Sequence, residues 1–208
     1  IPQFDGIASN FPFIQQEDIP NDVLTNFFRG EFQAQQQAFL KDKTFKINER
    51  SDYFTYCVYN SFRFLKDGGV LSIITSNAWL GKEYGFQFKK FLLDNFHIKY
   101  VVKSYAEHWF SDSQVSTVYA VFQKGANEEP TRFVTIDFKL KDYFSQDNTA
   151  SQIQQIEDFY TEIDNCDDTH NNKWNKDSTF NDLYLNQQDR PLGFLMLKPY
   201  KLSLLQYI

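Results

Sequence analysis

The strongest constraint on the fold is a helical stripe that is followed at once by a buried strand. Apolar or aromatic residues recur at helical spacing after Asp52, and the stripe stops at Gly68. Val70–Ile74 is then a β-branched run of the kind that fills a strand covered on both faces. A helix, a glycine turn and such a strand predict a right-handed crossover unit of an α/β fold.

Three further runs complete the predicted sheet. Phe4–Ser9 and Ile98–Val102 are predicted to lie parallel to Val70–Ile74, and Val115–Phe122 to run antiparallel to them. A second helical stripe begins at Tyr84. Residues 14–50 are expected to form an excursion outside the sheet, with a short helix that begins at Asn21 and ends at Gly30. After the strand at Val70–Ile74, Trp79 and Leu80 are expected to lead into a loop.

The first of these runs ends in a stiff, polar and aromatic turn. Asn10 follows the predicted strand, and Pro12 stands between Phe11 and Phe13. Pro12 fixes its own φ and biases Phe11 away from the helical region. Ligand-handling groups of open α/β sheets lie at the carboxyl ends of strands, where an amide and an aromatic face suit a planar guest. The alternative is that both Phe side chains fill the core.

Charge and composition set limits on the partners. The net charge is −6, and residues 157–182 hold eight Asp or Glu against two Lys, so the remaining residues sum to zero. No basic stripe of the kind that binds phosphates is visible, and the 18% aromatic content is expected to be mostly core. Cys57 and Cys166 lie far apart, which predicts neither a disulfide nor a metal site. A cytoplasmic protein that contacts no membrane is expected.

Asn10-Phe11-Pro12-Phe13 resembles a variant of the Asn-Pro-Pro-Tyr/Phe motif of amino-group methyltransferases. The resemblance is above all to adenine-N6 DNA methyltransferases of restriction-modification systems, and it covers about residues 4–124. It continues through further blocks in the same order, which are Gln15–Ile19, Asp52–Phe54, Phe64–Gly69 and Leu71–Leu80. Because the chain starts at Ile1 and its single Met is Met196, it is interpreted as part of a larger polypeptide.

The resemblance implies an α/β fold, namely the C-terminal half of a class I (Rossmann-like) methyltransferase sheet, plus the start of a further α+β region. Residues 1–125 would be the target-base half of the methyltransferase domain. Residues 126–208 would be a C-terminal extension that begins a target-recognition domain. Within that extension the expected elements are a strand at 132–138, a turn at 141–144, a helix at 151–163, a loop at 165–182 and an apolar segment from Leu192.

The resemblance also implies residue roles. The Asn10 side chain and the Phe11 carbonyl would accept the two hydrogens of an adenine amine, with Pro12 stiffening the turn. Phe13 would stack on the flipped base, and Phe110 would supply a second aromatic, although a plain core position suits Phe110 nearly as well. Asn77 is expected at the same sheet edge as a substrate contact. The cations of the excursion are candidate phosphate contacts, with a solvated helix face as an equal alternative, and they are Lys41, Lys43, Lys46 and Arg50.

S-adenosylmethionine is the implied methyl donor, and double-stranded DNA is the implied partner, with a fused or separate restriction nuclease. The family's Gly-x-Gly cofactor turn and its ribose-binding acid are absent from residues 1–208, so weak or no cofactor binding and no independent activity are expected. Phe11 replaces a family Pro. Two alternatives stay open, namely a protein-glutamine or RNA amino-group methyltransferase, and a degenerate, non-catalytic DNA-interaction module.

Overall fold

The computed structural model describes residues 1–40, 43–110, 115–125, 131–136, 138–144, 148–165 and 175–178. The strands in chain order are β1 (Phe4–Asn10), β2 (Leu65–Ser76), β3 (Phe96–Ser104), β4 (Thr117–Lys124), β5 (Thr131–Ile136) and β6 (Asn175–Ser178). The α-helices are α1 (Gln33–Phe39), α2 (Tyr53–Phe64), α3 (Ala78–Gly81), α4 (Gly85–Asn95), α5 (Leu140–Tyr143) and α6 (Thr149–Asn165). Within the described ranges, no helix has both the length and the apolar character needed to cross a bilayer.

The strands form one mixed sheet in the order β1-β2-β4-β3-β5-β6. β1 and β2 are parallel, and β4 lies between β2 and β3 and runs antiparallel to both. The prediction of three parallel strands and one antiparallel strand is therefore confirmed, although β4 begins at Thr117 and not at Val115. β5 pairs in parallel with β3, so it extends the same sheet, and β6 pairs antiparallel with β5.

The sequence had suggested that the Gly68-Gly69 pair ends a helix. In the structure the pair instead interrupts a strand. α2 already ends at Phe64, and β2 starts at Leu65. Gly68 has a φ of 79°, a conformation that glycine adopts without strain. The pairing of β2 with β1 shifts register at this point. A bulge in β2 therefore absorbs the glycines, which lengthens the strand at its amino end.

The excursion is helical for longer than expected. A 3₁₀ turn at Gln16–Asp18 is followed by a π-helix, Val23–Phe32, which leads directly into α1. Gly30 lies inside this helix and does not close it. A helical Gly costs about 1 kcal/mol relative to Ala, and burial of Leu24 and Phe32 offsets that cost. As predicted, the described residues of the excursion contain no strand.

Trp79 and Leu80 belong to the short helix α3, which leads into the predicted loop at residues 82–84. Two further expectations about local structure were wrong. The expected turn at 141–144 is the short helix α5. The expected loop at 165–182 contains β6. The predicted strand and helix of the C-terminal extension are confirmed as β5 and α6. The apolar segment from Leu192 lies outside the described residues.

Aromatic side chains fill the core, as their abundance predicted. Tyr59 contacts Phe91 with ring centroids 4.7 Å apart, and Trp79 contacts both Phe88 and Phe122. All five side chains are buried. Edge-to-face pairs of this kind contribute about 0.5–1.5 kcal/mol beyond their buried area. This cluster joins α2, α3 and α4 to one face of the sheet, which leaves the strand ends free to carry polar groups.

β1 forms one edge of the described sheet and is largely exposed. It pairs only with β2 among the described strands, and Phe4 at its start is 49% exposed. The outer backbone groups of an edge strand are available to pair with a further strand. The turn that follows β1 therefore lies at an accessible margin of the sheet.

Gly85→Ala is expected to lower the free energy of unfolding by more than about 3 kcal/mol. A Cβ at this position would overlap the backbone carbonyl of Trp79, which cannot turn aside as a flexible side chain would. Gly6→Ala is the matched control, because its added Cβ would meet only the Val70 carbonyl oxygen at 3.8 Å. Urea unfolding of both variants is the measurement, and equal stability of the two would contradict the packing argument.

Candidate functional site

The predicted turn lies where β1 ends. Asn10 is the last residue of β1, is exposed, and stands opposite Ile74 of β2 in the pairing. Phe11 packs against the main core cluster, whereas Pro12 is exposed. The core interpretation thus holds for the Phe11 ring. It leaves the Asn10 side chain and the residues after Phe11 on the outside.

Phe13 and Phe110 meet although 97 positions separate them in the sequence. Their ring centroids lie 5.3 Å apart with an interplanar angle of 75°, an edge-to-face contact. Both side chains are only half-buried. Phe110 belongs to the connection between β3 and β4, so this loop reaches back over the end of β1. The structure thus brings together the two aromatics that the sequence had singled out, and their role toward a substrate stays a prediction.

Asn77 lies at the same edge of the sheet as Asn10. It follows β2 directly and precedes α3, and its backbone N–H donates to the Ser116 carbonyl at 2.9 Å. Because β1 and β2 are parallel and Asn10 pairs with Ile74, both strands end on one side. Asn77 is half-buried. The carboxyl edge therefore carries two Asn side chains beside an aromatic pair.

One contribution to the site escaped prediction from the sequence, which gave Asp52 a helix start and a place in a family-like block but no role at the turn. Its carboxyl group accepts hydrogen bonds from the Gln16 backbone N–H at 3.2 Å and from the Tyr84 hydroxyl at 2.7 Å. Asp52 is 5% exposed. An Asp before an apolar stripe is an ordinary helix start, so the sequence pattern carries no signal of this contact.

The candidate phosphate contacts of the excursion are partly engaged within the protein. Lys43 donates to the carbonyls of Gln37 and Ala38 at the end of α1, and Arg50 pairs with Glu83 at 3.2 Å. Lys46 lines a cleft of about 420 Å³ between the excursion and α4. Lys41 lies outside the described residues. A phosphate-binding role for these cations stays a prediction.

Burial perturbs the pKa values of Tyr84 and Cys57. Burial raises the pKa of Tyr84 above its ordinary value, and the hydrogen bond to Asp52 adds to this shift, so Tyr84 stays a protonated donor. Burial also raises the pKa of the Cys57 thiol to about 11. Within the described residues, no three His, Cys, Asp or Glu side chains are grouped to hold a metal ion.

Residues 2–110, more than half of the chain, match the Eco57I restriction-modification methylase family. The chain belongs to this family. The type II methyltransferase M.BstVI of Geobacillus stearothermophilus is 22% identical over 134 residues, which are 64% of this chain and 22% of that protein. M.PaeR7I of Pseudomonas aeruginosa is 26% identical over 100 residues, 48% of this chain and 15% of that protein. The chain thus matches only a minor part of each relative.

Solved structures of restriction-modification proteins share the fold. The methyltransferase subunit of a type I system from Streptococcus thermophilus superposes with a TM-score of 0.56 and 16% identity, over 92% of this chain and 38% of that one. The M protein of the type I enzyme EcoKI superposes with a TM-score of 0.55 and 13% identity, over 92% of this chain and 43% of that one. The type IIG endonuclease BpuSI superposes with a TM-score of 0.62 and 14% identity, over 90% of this chain and 20% of that one. The mixed sheet is therefore part of the class I methyltransferase fold, as the sequence predicted.

Beside the site, Lys89 packs into the core with 8% of its surface exposed, and its amine donates to the Leu80 carbonyl at 3.3 Å. Burial lowers its pKa to about 8. The unfolded chain keeps that proton up to about pH 10.4, so between these values it binds more protons than the folded chain. The free energy of unfolding therefore rises with pH across this window.

In Lys89→Met, the free energy of unfolding is expected not to show this increase with pH. Measured by urea unfolding at pH 7 and pH 10, the wild-type chain should gain stability relative to Lys89→Met at the higher pH. The same measurement on Lys82→Met, which removes an exposed lysine nearby, gives the background from a surface charge. An unchanged stability difference between wild type and Lys89→Met at the two pH values would contradict the assignment.

Proposed function

We propose that this chain forms the target-base side of an adenine-N6 DNA methyltransferase. The observation that carries the proposal is the joint position of two features at one sheet edge. An exposed Asn10 ends β1, and the edge-to-face pair of Phe13 and Phe110 lies just beyond it. Membership of the Eco57I restriction-modification methylase family supports DNA as the substrate.

The chemistry requires two neutral acceptors for the hydrogens of the adenine amine. In the proposal the Asn10 side-chain oxygen accepts one hydrogen, and the Phe11 carbonyl accepts the other. Holding both hydrogens directs the nitrogen lone pair outward and stabilises positive charge that develops on the nitrogen. The Phe11 ring packs on the core, and Pro12 restricts the Phe11 backbone, so the carbonyl is held although the family's proline is missing.

The aromatic pair suits a base that has left the duplex. A half-buried Phe13 offers a face for stacking, and Phe110 fixes that ring through its edge-to-face contact. Stacking of a base on an aromatic side chain contributes about 1–3 kcal/mol. This offsets part of the free energy of unpairing and unstacking, which is a few kcal/mol. Asn77, at the same edge, is proposed to contact the substrate.

S-adenosylmethionine, implied by the family, supplies the methyl group when it is bound. The described residues do not fit the cofactor. Their glycines lie within strands or helices or beyond β4, and none forms a Gly-x-Gly turn at the carboxyl end of a parallel strand. We therefore propose that residues other than those of this chain hold the cofactor. The open edge of β1 is compatible with further strands that would carry them.

DNA contacts are proposed to be shared in the same way. The net charge of −6 argues against a large phosphate-binding surface on this chain, and Lys43 and Arg50 are engaged within the protein. Most phosphate contacts are therefore assigned to other parts of the protein, with a restriction nuclease as fused or separate partner. The decisive experiment is transfer of labelled methyl groups to adenine-containing duplex DNA by the full gene product, with single-stranded RNA and protein substrates as comparison.

Asn10→Ala is expected to lower turnover on duplex DNA on the order of 10²–10³-fold, the usual loss for one preorganised polar contact. Folding should suffer by no more than about 1–2 kcal/mol, because Asn10 is exposed at a strand end. Asn95→Ala is the control, since Asn95 ends α4 just before the amino end of β3, whereas Asn10 lies at the carboxyl end of β1. Full turnover in Asn10→Ala would refute the assignment of this residue.

Phe13→Ala is expected to raise the KM for duplex DNA by removing the stacking face, whereas Phe13→Tyr and Phe13→Trp keep most activity. The expected loss corresponds to about 1–3 kcal/mol of base stacking. Phe86→Ala removes a partly exposed Phe on α4 and serves as control. Melting temperatures separate this from a core role, for which Phe13→Ala would unfold the protein more readily at any DNA concentration.

A further inference from the structure

Asp52 stands where a helix-capping residue stands, but its carboxyl group does not cap the helix. It precedes α2 with extended backbone angles, and its side chain makes no capping hydrogen bond. Its backbone carbonyl accepts the N–H and the hydroxyl of Thr55. An Asp at this position ordinarily bonds to an N–H of the first helical turn, a contact that contributes about 1 kcal/mol. The side chain has been diverted to other partners.

Those partners come from two distant segments. One carboxyl oxygen accepts the Gln16 backbone N–H at 3.2 Å, and the other accepts the Tyr84 hydroxyl at 2.7 Å. Asp52 is buried, so both acceptors depend on these two donors in place of water. The next residue adds a third bond, from the Tyr53 N–H to the Ile14 carbonyl at 3.0 Å. The start of α2 is thus bonded to residues 14–16.

This arrangement holds the Asn10–Phe13 turn from both ends. Asn10 is fixed on one side by pairing of β1 with β2. Residues 14–16 are fixed on the other side by Asp52 and Tyr53, only one residue after Phe13. The Tyr84 hydroxyl, at the start of α4, donates to the second carboxyl oxygen, so Asp52 links residues 14–16 to α4 as well. The three residues between the two fixed points have little freedom to shift.

We propose that Asp52 is a positioning residue, which acts through the Gln16 amide to set the Phe11 carbonyl and the Phe13 ring for the target base. Asp52 does not touch the substrate in this assignment. The role in catalysis rests on the proposed function, whereas the hold on residues 14–16 does not. A displacement of reacting groups by about 1 Å costs on the order of 10²-fold in rate, so a loosened turn has a large effect.

The first test is residue-resolved amide exchange of the whole chain. In Asp52→Ala, exchange of the Gln16 amide should accelerate roughly 10- to 100-fold, as expected for loss of a buried hydrogen bond. Asp52→Asn should keep most of the protection, because its amide oxygen accepts from Gln16 while its NH₂ group donates to the Tyr84 oxygen. Unchanged exchange of Gln16 in Asp52→Ala would overturn the proposal.

Tyr84→Phe and Tyr100→Phe form a matched pair for this measurement. Tyr84→Phe leaves the carboxyl group tied only to Gln16 and should accelerate exchange of that amide less than Asp52→Ala does. The Tyr100 hydroxyl donates to Asp164 at 2.6 Å, a similar bond that involves neither α2 nor the turn, so Tyr100→Phe should leave Gln16 protected. Should Asp52→Ala fail to fold, equal Gln16 exchange in Tyr84→Phe and Tyr100→Phe overturns the proposal by itself.

The second test measures methyl transfer to duplex DNA by the full gene product. Asp52→Ala should lower kcat about 10²-fold, with a smaller change in the KM for DNA. Asp52→Asn should keep most of the wild-type kcat, and Tyr100→Phe should have the same kcat as wild type. Equal losses in Asp52→Asn and Asp52→Ala, or a normal kcat per folded molecule in Asp52→Ala, would overturn a positioning role. If the wild-type protein transfers no methyl group, the proposed function is refuted instead. The amide-exchange experiment then still tests whether Asp52 fixes the Gln16 backbone.

Discussion

The antiparallel pairing of β4 with both β2 and β3 is the interaction on which the rest of the structure depends. β4 lies between them, and its inward residues Val118, Ala120 and Phe122 have no exposed surface. Because both neighbours run opposite to β4, they run parallel to each other and end at the same edge as β1. The connection from β3 to β4 starts at that edge, which is why Phe110 lies within reach of Phe13.

The same strands separate two cores. Val101 of β3 belongs to the aromatic cluster with α2 and α4, whereas Tyr100 and Val102 belong to a second cluster with Phe159 of α6. Successive residues of a strand point to opposite faces, so both faces of the sheet are covered. This explains the uninterrupted apolar runs of the sequence, and it leaves the strand ends as the exposed polar part of the sheet.

The sequence was informative where local pattern decides the outcome. Strands buried on both faces and helices with an apolar stripe leave characteristic signals, so α4 and the central parts of β2 and β3 were predicted. The bounds were not, since β2 begins at Leu65 and not at Val70. Gly30 and the Gly68-Gly69 pair were misjudged because a helix interior and a strand bulge accommodate glycines that a pattern marks as breaks. The partners of Asp52 lie 36 and 32 residues away, and no periodicity reports such contacts. The site was therefore predictable in its strand-end position and not in its supporting bonds.

Helix α2 forms without a capping hydrogen bond from the Asp52 side chain because the packing of α2 against the core stabilises it. α2 buries Phe54 and Val58 almost completely, and each of these apolar side chains contributes about 1.5–3 kcal/mol. A missing cap costs about 1 kcal/mol, which is small beside that sum. The core thus carries the helix, and the carboxyl group is free to bond to the segment that follows the turn. A precise turn at an exposed strand end depends in this way on the aromatic packing beneath it.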